Sequence, residues 1–164
     1  MKTCKIYKGA IIVNGSFVFE MLGGDFSTFA KGAYKHLGID YPKFFKMDAL
    51  SKLAFLGVEY LLEGFTAEEK EGLALIFANH SASLDTDLRH QETIQDPNNY
   101  SPSPAIFVYT LPNICLGEIA IRHGLRTESS FFIFDQYPSE FFSQYSQYLL
   151  QAGKAKKVLC AWVE

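Results

Sequence analysis

Gln136 stands where this sequence would most naturally present a catalytic nucleophile. The run from Ser130 to Glu140 has the pattern of a buried strand, a sharp turn and the start of a helix. Many α/β enzymes mount a nucleophile at such a corner, because the turn raises one side chain above the sheet at the positive end of a helix. A glutamine amide is not a nucleophile for acyl transfer. The corner is therefore either an active-site elbow that has lost its chemistry or an ordinary strand-to-helix connection.

The three cysteines do not supply the missing nucleophile. Cys115 falls inside a helical pattern and Cys160 inside a strand pattern, which are typical places for buried free thiols, and Cys4 is near the N-terminus. The number is odd and no CxxC spacing occurs. Free thiols in a reducing cytoplasm are the expectation.

The histidines and acidic residues do not form a convincing catalytic or metal set either. His36, His80, His90 and His123 all fall at or near the ends of predicted elements, and a histidine at a helix C-terminus has a structural role there. A metal site from His80, His90, Asp85 and Asp87 is one interpretation, but the spacing is irregular and capping of a helix by Asp85 is the better account. No P-loop, GxSxG or HExxH motif is present. We expect no metal and no cofactor.

Strands and helices must position these residues, and their predicted alternation along the chain indicates an α/β fold. An Asn14-Gly15 turn between two apolar runs predicts a β-hairpin. The apolar run Leu73–Ala78 is typical of a strand covered on both faces. Predicted strands are Ile6–Val13, Ser16–Met21, Leu73–Ala78, Ser130–Phe134 and Lys157–Val163; predicted helices are Phe26–Leu37, Met47–Leu61, Asp85–Ile94, Pro112–His123 and Pro138–Ala152, with a short capped turn at Thr66–Glu69.

Length and charge narrow the class of protein. A chain of 164 residues that is 48% hydrophobic predicts one domain over residues 1–164. A formal net charge of −3 gives no reason to expect nucleic acid or an anionic membrane as a partner. No run approaches the roughly 20 apolar residues of a membrane span, and the N-terminus lacks the apolar core of a signal peptide. We expect a cytoplasmic protein.

The last third carries a family resemblance. Ser103–Arg126 contains Leu-Pro-Asn-Ile-Cys-Leu-Gly-Glu-Ile-Ala-Ile followed by Gly-Leu-Arg, and the chain ends in Gly-Lys-Ala-Lys-Lys-Val-Leu-Cys-Ala-Trp-Val-Glu. These segments resemble the β-ketoacyl-ACP synthases of the thiolase-like superfamily, with their Leu-Pro-Asn-x-x-x-Gly-x-Ile-Ala-Ile helix and Gly-x-Ala-x-x-Val-Leu-x-Gly-Gly-x-Glu strand. The resemblance is strong over Pro102–Glu164, moderate over Phe44–Asp87 and weak before that.

This resemblance implies a fold and a lost activity. The implied fold is the N-terminal half of a thiolase-like domain, with a mixed β-sheet of about five strands covered by helices on both faces. Gln136 falls at the position of the family's nucleophilic cysteine, as it does in the chain-length factors. The family draws its catalytic histidines from the C-terminal half, and this chain stops where that half would begin. We therefore expect no catalysis by the chain alone, the family activity being that of an acyltransferase.

The corner also departs from the family in its neighbouring residues. The family surrounds its cysteine with small residues, whereas Tyr137 and Pro138 follow Gln136 here, and Trp162 replaces an expected glycine. These bulky groups predict a filled pocket. Asp135 and Pro138 suit the cap and the first turn of the following helix.

By the same resemblance, a partner subunit would dock beside the corner. The interface would use the strand Ser130–Phe134, and the residues upstream of the Leu-Pro-Asn helix would form a gate to the partner's acyl tunnel. Burial within the domain is the alternative for each gate residue. The candidate partner or tunnel contacts are Ile106, Phe107, Tyr109, Phe131, Phe132, Phe134, Gln136 and Tyr137.

The helix after the corner has no charged residue between Glu140 and Lys154. Solvated helix faces usually carry Lys and Glu, so this face indicates burial or contact with another polypeptide, against the alternative of an exposed neutral helix. An acyl carrier protein, being acidic, would seek basic residues, and Lys154, Lys156 and Lys157 form the one cluster; such lysines also serve solubility alone.

Three functional hypotheses follow. The first is a non-catalytic subunit of chain-length-factor type that partners a full-length ketosynthase in fatty-acid, polyketide or aryl-polyene biosynthesis. The second is a self-associating pseudoenzyme that binds an acyl chain or another ligand, as a homodimer. The third is a residual malonyl-ACP decarboxylase or acyltransferase.

Overall fold

Two separate three-stranded sheets organise the chain, whose computed structural model describes residues 1–164. The first sheet is antiparallel, with the order β1-β2-β3. Its strands are β1 (Cys4–Tyr7), β2 (Ala10–Val13) and β3 (Ser16–Glu20). The second sheet is parallel, with the order β5-β4-β6. Its strands are β4 (Leu73–Asn79), β5 (Ser129–Ile133) and β6 (Lys157–Trp162).

Seven α-helices connect and cover the sheets. They are α1 (Phe26–Leu37), α2 (Ala49–Leu62), α3 (Ala67–Lys70), α4 (Leu84–Ile94), α5 (Pro104–Val108), α6 (Ile114–His123) and α7 (Ser139–Gln151), and a 3₁₀ turn spans Pro42–Lys46. None of these helices combines the length and apolar character that a membrane crossing requires.

The antiparallel sheet corrects the predicted hairpin. The segment Ile6–Val13 was expected to be one strand, but it is divided by a turn at Lys8 and Gly9, which take left-handed φ angles of 48° and 79°. A Cβ on Gly9 would collide with the carbonyl oxygen of Met21, so this turn requires glycine. The Asn14-Gly15 turn is confirmed, because both residues have the positive φ (52° and 83°) of a tight hairpin turn.

The parallel sheet is covered on both faces, as the apolar run predicted. Every residue of β4 is buried. Leu73, Leu75 and Phe77 point to one face and pack with residues of α2 and α6. Ala74, Ile76 and Ala78 point to the other face and pack on α7. Because side chains alternate along a strand, one central strand serves two cores.

The predicted single mixed sheet of about five strands is wrong in detail, although the α/β class is confirmed. Tight turns hold β1–β3 together as their own sheet. That sheet buries Ile11 against α1 and α2, in a core that includes Phe29 and Phe55. The first three strands therefore lie on the helical layer instead of extending the parallel sheet.

The helix boundaries agree closely with the predicted ones, except where a capping residue was predicted wrongly. Helix α1 has the predicted bounds and ends at Gly38, whose φ is 62°. The short turn at Thr66 has a capping box with Glu69. Helix α4 begins at Leu84, with Ser83 at the cap position, so Asp85 lies in the first turn and does not cap it. Helix α5 was not predicted, because its five residues are too few to show a period.

Candidate functional site

The corner after β5 is an open and unstrained connection. Strand β5 ends at Ile133, and α7 begins at Ser139. The Phe134 N–H donates to the Asn79 carbonyl at 3.0 Å, which keeps the chain at the end of β4 before it turns. Gln136 is exposed, and no residue of 134–138 takes a positive φ. A nucleophile elbow holds its residue in a sharp, strained turn, and this connection lacks that geometry.

Aromatic rings crowd the corner. Residues 134–141 line a shallow cavity of about 410 Å³. The Tyr137 ring lies edge-on to Trp162 at a centroid distance of 6.2 Å and to Phe142 at 5.7 Å. Tyr137 and Trp162, the bulky residues that predicted a filled pocket, thus face each other, but the cavity lined by residues 134–141 is open, so the predicted filling is wrong.

The predicted capping of α7 by Asp135 is wrong. Pro138 occupies the cap position, and no side chain accepts a hydrogen bond from the first turn. Glu140 in that turn provides the negative charge that suits a helix N-terminus.

The corner belongs to the carboxyl edge of the parallel sheet. The chain that leaves β4 returns through α6 on one face, and the chain that leaves β5 returns through α7 on the other. Adjacent strands whose connections diverge in this way form the crevice where open α/β sheets bind ligands. His80 follows β4 in this crevice, and the corner follows β5.

Glu164 lies at the same edge of the sheet, just after β6. Its carboxylate accepts hydrogen bonds from the His80 N–H at 2.7 Å and from the Ser81 hydroxyl at 2.5 Å. Burial opposes ionisation, but these hydrogen bonds outweigh it and hold the pKa of the Glu164 carboxyl below its ordinary value. The carboxylate therefore ties the loop after β4 to the end of β6.

A polar network that the sequence reasoning missed anchors α4 behind this loop. The Asp48 carboxylate is buried and accepts from the Thr86 hydroxyl at 3.0 Å and from the Ser51 N–H at 2.9 Å. The Ser83 hydroxyl donates to the Thr110 carbonyl at 2.5 Å. Polar residues at helix starts are the only sequence signal, because the contacts join distant segments. No group of three or more His, Cys, Asp or Glu side chains has the geometry to hold a metal ion.

The cysteines lie in surroundings that disfavour the thiolate. Burial raises the pKa of Cys115 to about 12 and that of Cys4 to about 11. Cys160 is exposed, so its predicted burial is wrong. Partial desolvation of its sulfur, which is 3.2 Å from the Ser146 hydroxyl, still raises the pKa of this thiol. A thiol nucleophile needs a lowered pKa, and none of the three has one.

Three of the histidines have neighbours away from the corner. His36 Nδ1 is 2.9 Å from the Tyr60 hydroxyl, and His123 Nε2 is 3.2 Å from the Glu59 carboxylate. The His90 ring lies 5.3 Å from the Phe107 ring.

The candidate gate residues have different surroundings. They belong to or follow α5: Phe107 is 58% exposed, Ile106 is half-buried and Tyr109 is buried. The Tyr109 hydroxyl donates to the Glu118 carboxylate at 2.9 Å, and Lys43 Nζ is 2.8 Å from the other carboxylate oxygen. Burial and this hydrogen bond raise the pKa of Tyr109 above its ordinary value. Phe107 is thus open to a partner, whereas Tyr109 packs within the chain.

We expect Tyr109→Phe to lower the free energy of unfolding by about 1 to 2 kcal/mol, because a buried Glu118 oxygen loses its donor. Urea unfolding monitored by circular dichroism measures this change. Tyr100→Phe is the matched control, since Tyr100 is 65% exposed. Equal stability of both variants would show that the Glu118 contact contributes nothing.

The basic cluster is largely engaged in local contacts. Lys156 Nζ pairs with Glu71 at 3.1 Å, and Lys157 Nζ donates to the Glu69 carbonyl. Lys154 Nζ lies over the Tyr148 ring at 5.3 Å. A partner that approached this cluster would have to compete with these contacts.

The outer edge of β5 is unpaired, because β5 bonds to β4 alone. Ile133 at its end is 50% exposed. Helix α6, which packs beside β5, exposes 69% of Ile121. We call Ile121 and Ile133 the apolar edge surface. Further large apolar residues are exposed on α4, on α5 and just after α5: Leu84, Leu88, Phe107 and Leu111.

Comparisons with known proteins identify a solved structure with a similar fold. No protein-family model matches this sequence, and no curated protein is similar to it. Among solved structures, the chain is similar to the ishigamide ketosynthase/chain length factor, with a TM-score of 0.61 and 20% sequence identity. The match covers 77% of this chain and 38% of that one, so this chain corresponds to less than half of that protein's length. The chain therefore shares the fold of the matching part of that structure.

Proposed function

We propose that this chain is a non-catalytic, β-ketoacyl-synthase-like subunit of chain-length-factor type that partners an active ketosynthase in fatty-acid, polyketide or aryl-polyene biosynthesis. The observation that carries the proposal is the exposed glutamine at the corner after β5, in a fold shared with a ketosynthase/chain length factor. By the resemblance, Gln136 stands at the position of the family's cysteine. The condensation that ketosynthases catalyse needs a thiolate to take the acyl chain, and an amide at this position cannot do so.

The surroundings of Gln136 support a loss of chemistry. The corner has no strained residue that would present a side chain, and the bulky Tyr137 that follows Gln136 lies edge-on to Trp162. The three thiols of the chain all have raised pKa values. These observations argue against residual acyl transfer.

The outer edge of β5 is the surface through which we expect the partner to bind. An unpaired strand edge offers backbone N–H and C=O groups to another strand, and proteins usually protect such an edge with charged residues. Here β5 has the sequence Ser-Ser-Phe-Phe-Ile, without a charge. The apolar edge surface beside it offers apolar area of the kind that interface cores bury.

Among the candidate gate residues Phe107 is the most exposed, and it is the one that we expect to reach a partner's acyl tunnel. Its ring is 58% exposed and lies against His90 on α4. Ile106, half-buried on the same helix, is the second candidate. We expect these side chains to limit the length of the partner's product sterically. Tyr109 would act indirectly, by fixing the end of α5.

Co-expression with a full-length ketosynthase encoded nearby tests the proposal. We expect a stable heterodimer, and we expect Ile133→Lys to weaken it about 100-fold, since a charge buried without a partner costs about 3 kcal/mol or more. Phe17→Lys is the matched control, because Phe17 is 70% exposed on the antiparallel sheet. Affinity purification and light scattering measure the complex.

Two outcomes would contradict this proposal. One is the absence of a heterodimer with any ketosynthase tested. The other is decarboxylation of malonyl-ACP by the purified chain, which would support the residual-enzyme hypothesis instead.

A further inference from the structure

His90 lies where helix α4 meets the short helix α5. It is half-buried on α4, and its ring centroid is 5.3 Å from that of Phe107 on α5, with the two ring planes tilted by 52°. Aromatic rings attract each other in tilted arrangements at this separation. His90 therefore contacts the residue that we expect to reach the partner's acyl tunnel.

The imidazole of His90 is held by packing. Its Nδ1 is buried and has no hydrogen-bond partner. His36, by contrast, places its Nδ1 2.9 Å from the Tyr60 hydroxyl. Most buried polar atoms in folded proteins have such a partner. A hydrogen bond through this nitrogen therefore does not fix the imidazole of His90, and what it offers to Phe107 is the surface of its ring.

The backbone around Phe107 is fixed without help from His90. The Phe107 N–H donates to the Ser103 carbonyl at 2.9 Å, and the Phe107 carbonyl accepts from the Thr110 hydroxyl at 2.8 Å. The Thr110 carbonyl accepts from the hydroxyl of Ser83, which caps α4. Because the backbone is held at these points, the remaining freedom at position 107 is rotation of the side chain about its χ angles.

The contact with His90 restricts that rotation. Exposed side chains without a neighbour change rotamer within picoseconds to nanoseconds. The Phe107 ring is 58% exposed and contacts one other aromatic ring in this chain, that of His90. This contact therefore selects among the rotamers that the fixed backbone allows.

A steric limit on chain length requires a ring that stays in place. A side chain that discriminates between ligands by size must hold its position, and packing against a supporting side chain is what holds it. A ring that rotates away would leave room for a longer chain. Support of the Phe107 ring thus determines how sharply the limit is set.

We propose that His90 is a positioning residue, which holds the ring of Phe107 in one orientation and thereby sets the length at which a growing acyl chain stops. Its effect on chain length rests on the proposed function, whereas the contact itself belongs to this chain. The role requires neither proton transfer nor contact between His90 and the acyl chain. It requires an aromatic ring of similar size at position 90.

Fluorine NMR of this chain alone tests the positioning step. With 4-fluorophenylalanine at position 107, we expect a resonance that is shifted by the ring current of His90 and broader than that of a freely rotating ring. His90→Ala would narrow the resonance and move it to its position in urea. His90→Phe would keep a shifted and broad resonance, because it retains an aromatic ring. Gln91→Ala, exposed on the same helix, is the matched control and would change nothing.

Analysis of the products tests the consequence for chain length. In a complex with an active ketosynthase, we expect His90→Ala to raise the proportion of longer products about tenfold, the lower end of what a fitted pocket gives against one extra methylene group. His90→Phe would restore the wild-type distribution, and Gln91→Ala would retain it. Mass spectrometry of the released chains measures these proportions.

The two measurements separate this inference from the proposed function. A resonance at position 107 that does not respond to His90→Ala would overturn the inference, whatever the partner does. So would an unchanged product distribution in a complex that forms normally, or a His90→Phe variant that behaves like His90→Ala. Failure of the wild-type chain to form any complex would count against the proposed function instead, and the fluorine measurement would then decide the inference. Circular dichroism establishes that each variant is folded.

Discussion

Replacing Phe77 with alanine should lower the free energy of unfolding by about 3 to 5 kcal/mol, the usual cost of removing a fully buried aromatic ring from a core. Phe77 has no exposed surface and lies in the second half of β4. Its neighbours in register are Phe131 on β5 and Ala161 on β6, and its ring packs with residues of α2 and α6. The cavity would open where both strand pairings and the helical layer meet, so little can collapse to fill it.

Urea unfolding of Phe77→Ala beside Phe17→Ala measures this effect. Phe17 is 70% exposed, so its truncation should change the free energy by no more than about 0.5 kcal/mol. Phe77→Leu retains most of the volume and should lie between the two, which keeps the test informative if the alanine variant does not fold. Equal effects at positions 77 and 17 would mean that β4 is not the centre of a packed sheet.

Glu59→Ala is expected to have the second largest effect, a loss of about 3 kcal/mol, because it leaves charge without its partner in the interior. The Glu59 carboxylate is 7% exposed; it accepts from Arg122 Nε at 2.8 Å and lies 3.2 Å from His123 Nε2. The Arg122 side chain is 26% exposed and can turn partly to water, so the loss should fall at the lower end of the range for buried pairs. These contacts join α2 to α6 across the outer helical layer.

The pH dependence gives this prediction a distinctive readout. Burial raises the pKa of Glu59, but the hydrogen bonds and charges of His123 and Arg122 outweigh it, and the pKa in the folded state lies below the ordinary value. A carboxyl whose pKa is lowered by folding stabilises the protein above its unfolded pKa of about 4.3. That contribution is lost as the pH falls through the folded-state pKa. The stability difference between wild type and Glu59→Gln should therefore be full at pH 7 and shrink on acidification.

Thermal or urea unfolding between neutral and acidic pH measures this difference. Glu92→Gln is the control, since Glu92 is exposed on α4 and makes no ion pair in the structure. A Glu59→Gln difference that stays constant with pH would contradict an ionised role for this carboxyl.

Elements with a local cause were predictable from the sequence. Gly38 ends α1 with a left-handed φ, Thr66 and Glu69 form a capping box, and Asn14-Gly15 makes a tight turn. The continuous apolar run of β4 indicated a strand buried on both faces, and it is one. Each of these features depends on a few neighbouring residues, so the sequence alone contains the signal.

Features that depend on distant contacts were not predictable in the same way. The local sequence of β1–β3 does not show whether these strands extend the parallel sheet or form a sheet of their own on the helices. Packing of Ile11 and Phe29 against α2, which joins distant segments, decides it. The Asp48–Thr86 hydrogen bond and the Glu164–Ser81 tie likewise join segments far apart in the chain. The assignment of one domain over residues 1–164 stays a prediction.

The candidate site shows the same division. The strand and the helix around Gln136 were predicted from their pattern, whereas the place of the glutamine at the family's nucleophile position rests on the resemblance and stays a prediction. The pattern could not tell that Tyr109 turns inward to Glu118 while Phe107 turns outward. Both are aromatic residues at the end of one short helix, and only their surroundings separate them.

The central position of β4 has a consequence for how the chain folds. Its two partners come later in the sequence, and the contact that locks the sheet edge joins His80 to Glu164, which are 84 residues apart. Long-range parallel pairing forms slowly, because loop closure precedes any gain from the contacts. During synthesis β4 therefore remains an unpaired apolar segment until β5 has left the ribosome, and its other edge stays open until β6 follows. We expect this apolar segment to be a site for chaperones during that interval.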